Sequence, residues 1–111
     1  MFVRINAYRI MWLFVFFDLP TTTKKERKDA AGFRKMLERD GFVMMQYSVY
    51  VRHCPSKENM EVHVKRVEMS IPVSGQVSIL SVTDKQYAGI HNFIGQKITS
   101  PAKGPVQLEL F

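Results

Sequence analysis

Asp18 is the residue whose type and setting most clearly suit chemistry. It ends an unbroken apolar run, Ile10-Met11-Trp12-Leu13-Phe14-Val15-Phe16-Phe17, stands before Leu19-Pro20, and is the only acidic residue among the first 25. A carboxylate at such a strand end has two uses. It can accept hydrogen bonds from backbone N–H groups of the following turn, or it can offer hard oxygen ligands to Mg²⁺ or Mn²⁺. One carboxylate is a poor cation site by itself. The second use therefore calls for another Asp18, brought up by a second copy of the chain about a two-fold axis.

The cations suggest a polyanion. Sixteen Lys/Arg against ten Asp/Glu give a net charge of +6 and a pI near 9.7, which favours nucleic acid first and an anionic membrane surface second. The excess is uneven: residues 1–55 carry ten Lys/Arg against five Asp/Glu, residues 56–111 six against five. From Lys24 to Arg39 there are seven cations against three anions, whereas Lys57, Lys65 and Arg66 are balanced by Glu58, Glu61 and Glu68. Part of such a run is an ordinary solvated helix face with i,i+4 pairs; the asymmetry between the two segments favours phosphate contact by the first. Lys24, Lys25, Arg27 and Arg52 are the candidate contacts, with His53 beside Arg52 as a weaker one.

Other side chains offer less. His53, His63 and His91 lack metal-ligand spacing, and His63 (on a helix flank) and His91 (in a strand) read as structural. Cys54 alone excludes an internal disulfide or a cysteine-built zinc site and suits a reducing, cytoplasmic setting. The methionines, Phe residues and Trp12 read as core. There is no Gly-rich phosphate loop, no Ser/His/Asp set and no close carboxylate pair.

The elements that must position these residues follow from periodicity. Ile10–Phe17 is apolar on both alternating faces, Trp12, Phe14 and Phe16 on one and Met11, Leu13, Val15 and Phe17 on the other, as in a central strand. Eight apolar residues with no small-x-small site after them form neither a membrane span nor a signal peptide. Thr23-Lys24-Lys25-Glu26 has capping-box form, Ala30, Phe33 and Leu37 recur at helical spacing, and Gly41 stands at the C-cap, which predicts a helix over Thr23–Asp40. Phe42–Arg52 alternates but is long for one strand, so a bend or bulge near Gln46–Ser48 is expected to divide it. Pro55-Ser56 opens a second helix with Met60, Val64 and Val67 on its inner stripe. Gln76–Val82 is a strand, Asp84-Lys85-Gln86 a turn or helical start, and Ile90–Ile94 and Val106–Leu110 are short apolar segments read as strands, separated by the linker 100–105.

The 111 residues thus predict one α+β domain over residues 1–111: a ferredoxin-like βαββαβ sandwich, one antiparallel sheet with both helices on one face and extra C-terminal strands. Two helices cover one sheet face only, yet both faces of Ile10–Phe17 are apolar. A second copy of the chain is the simplest cover for the other face, which predicts a homodimer.

Several segments together resemble a known family. Leu13-Phe14-Val15-Phe16-Phe17-Asp18-Leu19-Pro20, then Gly41 to Gln46-Tyr47-Ser48-Val49-Tyr50, then Thr83-Asp84-Lys85-Gln86 look like CRISPR-associated protein 2. Asn6-Ala7-Tyr8-Arg9 and the ending Gln107-Leu108-Glu109-Leu110-Phe111 are similar to members from type II systems. The resemblance implies a ferredoxin-like homodimer in spacer acquisition. Such a dimer bridges two copies of the larger CRISPR-associated integrase and holds the duplex DNA to be inserted. It further implies a family classed as Mg²⁺-dependent nucleases acting on RNA or DNA, with the metal-binding, catalytic Asp mapping onto Asp18 and the Ser of the Gln-x-Ser-Val segment onto Ser48. Most members carry Tyr before that Asp; Phe17 stands here, so any role for that hydroxyl is absent. The terminal strand Gln107–Phe111 is expected to pair with the edge of the other protomer's sheet. Two readings result: a metal nuclease, or an adaptor that binds DNA phosphates while its partner does the chemistry. One convincing carboxylate per protomer favours the adaptor.

Overall fold

Alternation within the apolar run decides the centre of the molecule. In the computed structural model, which describes residues 10–95, strand β1 (Met11–Asp18) turns Leu13, Val15 and Phe17 into the core. Trp12, Phe14 and Phe16 go to the opposite face. β1 lies between two antiparallel neighbours in a sheet of order β2-β3-β1-β4, with β2 Val43–Gln46, β3 Val49–Cys54 and β4 Gln76–Thr83. The expected ferredoxin-like α+β sandwich is what forms.

Helix α1 (Lys24–Arg39) starts on a capping box in which the Thr23 hydroxyl accepts from Glu26 N–H and the Glu26 carboxylate accepts from Thr23 N–H. It buries Ala30, Phe33 and Leu37; α2 (Lys57–Glu68), capped by Ser56, buries Met60, His63 and Val67. Both lie on one sheet face and enclose the core with Leu13, Val15, Phe17, Phe42 and Tyr50. The bend expected near Gln46–Ser48 is a turn at Tyr47-Ser48 with a register shift between Met44 and Gln46. No helix among the described residues is long and apolar enough to cross a membrane.

Two expectations are corrected. Ile90–Ile94 is not a strand, and His91 is not in one: the chain after β4 enters the short helix α3 (Asp84–Ala88), capped by Thr83 and Gln86, and then runs to Gly95 without regular structure. Two polar residues, His91 and Asn92, interrupt that short apolar segment, and no strand faces it. Second, the chain itself covers part of the sheet face away from α1 and α2. Tyr87 of α3 stacks on Trp12 at 3.7 Å and 5°, and Trp12 Nε1 donates to Asp84 Oδ1 at 2.7 Å. With Tyr87 also near Phe14, Phe14 is buried, while Phe16 and Leu80 stay exposed at 38% and 51%. Asn6–Arg9, the linker from residue 100 and the terminal strand Gln107–Phe111 lie outside the described residues.

Candidate functional site at the end of the central strand

The register of the sheet settles which candidates share a face. Across β1 and β4, Phe14 stands opposite Leu80, Phe16 opposite Ser78 and Asp18 opposite Gln76; directly opposed residues of an antiparallel pair project to the same side. Asp18 is therefore on the open face, exposed, in line with Phe16. Beside it, the Phe17 N–H donates to the Ser48 carbonyl at 3.1 Å, and Ser48 holds a left-handed φ of +71°. This bond stitches the β2–β3 turn onto the end of β1. Asp18 and Ser48 then line one shallow depression of about 340 Å³, together with Phe16, Val49, Gln76 and Ser78.

Gly75 fixes the end of β1 from the other side. At φ +103°, it lies so close that a Cβ would stand 2.8 Å from the Asp18 carbonyl oxygen and 2.7 Å from Leu19 Cδ2. Only a residue without a side chain fits there. Nothing in the sequence distinguished Gly75 from an ordinary turn glycine before a strand.

The phosphate candidates separate into two regions. Lys24, Lys25 and Arg27 sit in the first turn of α1, exposed, starting six residues after Asp18. Of these, Lys25 pairs with Asp29 at 3.1 Å, and Arg27 Nη1 donates to the carbonyls of Thr21 and Thr22 at 3.1 and 2.9 Å. Lys24 carries no such contact among the described residues. Arg52 and His53 stand opposite Leu13 and Trp12, so they lie roughly 17 and 20 Å from Asp18 along β1 at about 3.3 Å per residue. They also project to opposite faces: His53 packs edge-on to Trp12 on the open face, and Arg52 turns to the helices and donates to the Asp40 carbonyl at 2.9 Å.

That carbonyl belongs to a network that sequence reasoning did not assemble. His63, buried on α2, sets Nδ1 2.7 Å from Asp40 Oδ2, and Arg66 Nη1 donates to Asp40 Oδ1 at 2.7 Å. Burial pushes the Asp40 carboxyl up, but the hydrogen bonds and charges of His63 and Arg66 outweigh it and hold the pKa below its ordinary value. A second unforeseen contact is the Arg34 guanidinium, 4.4 Å from the Tyr47 ring and 5.4 Å from the Phe17 ring, which pins the β2–β3 turn from the helical side. Burial, reinforced by Glu38, raises the Tyr50 phenol. No local pattern announces either cluster, because the partners lie far apart along the chain.

Comparison with known proteins places this arrangement. The family described as CRISPR associated protein Cas2 matches residues 11–90, from the first residue of β1 to just past α3. The chain belongs to the Cas2 family. It is 50% identical over 110 residues to the CRISPR-associated endoribonuclease Cas2 of Flavobacterium psychrophilum, covering 99% of this chain and 96% of that one. Against the protein of that name from Parvibaculum lavamentivorans it is 52% identical over 101 residues, covering 91% of this chain and all of the other. With the Ligilactobacillus salivarius Cas2 endoribonuclease it shares 48% identity over 88 residues, 79% of this chain and 87% of that one. The Cas2 match thus covers Asp18, Ser48 and every phosphate candidate.

Proposed function

We propose that this chain is a spacer-acquisition subunit: a homodimer that binds duplex DNA through its phosphates and bridges copies of the partner integrase. The observation that carries this reading is the charge on α1. Lys24, Lys28, Lys35 and Arg39 are exposed there without an ion-pair partner among the described residues, while α2 is nearly balanced. Such a surface binds the duplex backbone without reading sequence. The exposed Phe16 and Leu80, on the same sheet face as Asp18, support pairing of two open sheet faces. Three measurements test the reading: the mass in solution by light scattering, the salt dependence of duplex binding, and acquisition in cells. A dimer, a steep log–log salt slope and its loss on charge reversal at Lys24 and Lys28 are expected. A monomer or a flat slope overturns it.

A second reading is favoured by one observation, the exposed Asp18 in a depression with Ser48 and Gln76, and by the endoribonuclease names of the relatives. The donor set is all oxygen, which fits a hard cation. Among the described residues of one protomer no three His, Cys, Asp or Glu side chains come together, so one protomer offers half of such a site and Asp18 of a second copy would complete it. Bound there, Mg²⁺ or Mn²⁺ would polarise a phosphodiester and activate water; the chain's own part is to present Asp18 on a fixed strand end. Asp18→Asn separates the readings. The adaptor needs the variant to fold, dimerise, bind DNA and support acquisition, whereas the nuclease reading requires that metal-dependent cleavage of RNA or DNA disappear.

A further inference from the structure

On the helical side, away from the sheet face discussed above, α1 borders a groove that the chain leaves empty. Two open cavities of about 320 and 380 Å³ run along it and share Met36 and Ser70 in their walls. One is bounded by Met69 and Arg39, the other by Lys28, Gly32, Ile71 and Val73. The far wall is the α2–β4 connection, where Met69 and Val73 are 86% and 91% exposed and Ile71 is exposed beside them. Three exposed apolar side chains in one short connection form a patch, not scattered surface residues, and such patches mark interaction sites. Methionine-walled surfaces adapt well to apolar anchors of a peptide.

Gly32 forms the floor. It stands on the same flank of α1 as Lys28, Met36 and Arg39, at helical spacing, and a Cβ there would meet nothing within 4 Å. A glycine inside a helix is less favourable than alanine by about 1 kcal/mol, and no packing within the described chain calls for it. What the missing side chain provides is depth. The charges along the groove select the guest. The two carboxylates lining it, Asp29 and Asp40, are already engaged by Lys25 and by Arg66 with His63. Lys28 and Arg39 line it with no ion-pair partner among the described residues.

We infer that this glycine-floored groove docks an acidic, apolar peptide segment of a partner protein, its apolar anchors seated between Met36 and Ile71 and its carboxylates on Lys28 and Arg39. The apolar walls favour a protein over nucleic acid. Lys28 and Arg39 are cations that the adaptor reading also offers to DNA; the apolar walls, which a phosphate backbone does not need, separate the two, and Asp18 plays no part here.

The test is a selection of random peptides displayed on phage against the full chain, followed by anisotropy with the enriched peptides. Enriched sequences should pair apolar anchors with Asp or Glu. Their affinity should fall by about tenfold or more for Gly32→Trp, which plugs the floor, and for Met69→Ser with Val73→Ser, which strips the far wall. Both sites face open space, so circular dichroism melts should show intact folds, and Gly32→Ala should still bind. The inference is overturned if no peptide is enriched, if the enriched ones are basic, or if the variants bind them equally. Charge reversal at Lys28 that abolishes duplex DNA binding and leaves peptide affinity unchanged would assign the cations to nucleic acid instead and overturn it too.

Discussion

The backbone of Gly75 packs directly against the carbonyl of Asp18, with room for a hydrogen and none for a methyl group. The candidate carboxylate is therefore positioned by a residue that has no functional group at all. Gly75→Ala would meet both a left-handed φ and a backbone contact that cannot move aside, and should cost about 1–3 kcal/mol. Urea unfolding gives that cost, and any Asp18-dependent activity should fall further than stability alone explains. A parent-like urea midpoint would show that the contact is not needed.

Stability against pH should report Asp40. A carboxyl whose folded pKa is lowered contributes stability above its unfolded value, near 3.8, and that contribution is lost as pH falls through the lowered folded value. The parent should therefore lose stability in that acid window. Asp40→Asn should flatten the window, and Asp40→Ala, which strands His63 without its acceptor, should cost about 1–3 kcal/mol at neutral pH. Denaturant titrations at a series of pH values measure both.

Cys54 is fully buried, and burial raises its thiol pKa despite the Arg52 charge nearby. A thiol-specific reagent at mildly alkaline pH should leave the folded chain unmodified and label it fully in denaturant. Rapid labelling of the native protein would contradict this burial.

Asp84→Ala removes the acceptor of the Trp12 indole N–H and should loosen α3 from the open face, at about 1 kcal/mol. Trp12 is the only tryptophan, so its emission reads the change directly: a red shift in the native protein, absent in Asp84→Glu if the longer carboxylate still reaches.

Where the sequence was readable, its signals were local. Double-faced apolarity in Ile10–Phe17 predicts a central strand, Thr23 and Glu26 cap α1 as their spacing demands, and the divided hairpin turns where alternation runs too long. Asp18 was legible as a candidate because a lone carboxylate after eight apolar residues is conspicuous. What local signals leave out is the partner distant in sequence. Arg52 is legible as a cation at a strand end, but not the Asp40 carbonyl that accepts one of its N–H groups. Tyr87 resembles any helical residue until the β4–α3 turn lays it on Trp12. Spacing along a chain encodes which face a residue takes, but not which remote group meets it there.

The placement of β1 has a bearing on how the chain is made. Among the described elements the most apolar strand comes first along the chain, yet both of its neighbours come later: β3 about thirty residues on, and β4 only at Gln76–Thr83. Until β3 is made, Met11–Phe17 has both edges unpaired and only α1 to cover one of its faces, a condition that favours association with other nascent chains. Folding cannot proceed from the amino terminus outward. It must wait for sequence-distant pairing, so it is expected to be slower than for a helical chain of this length, with closure of β4 against β1 completing the sheet.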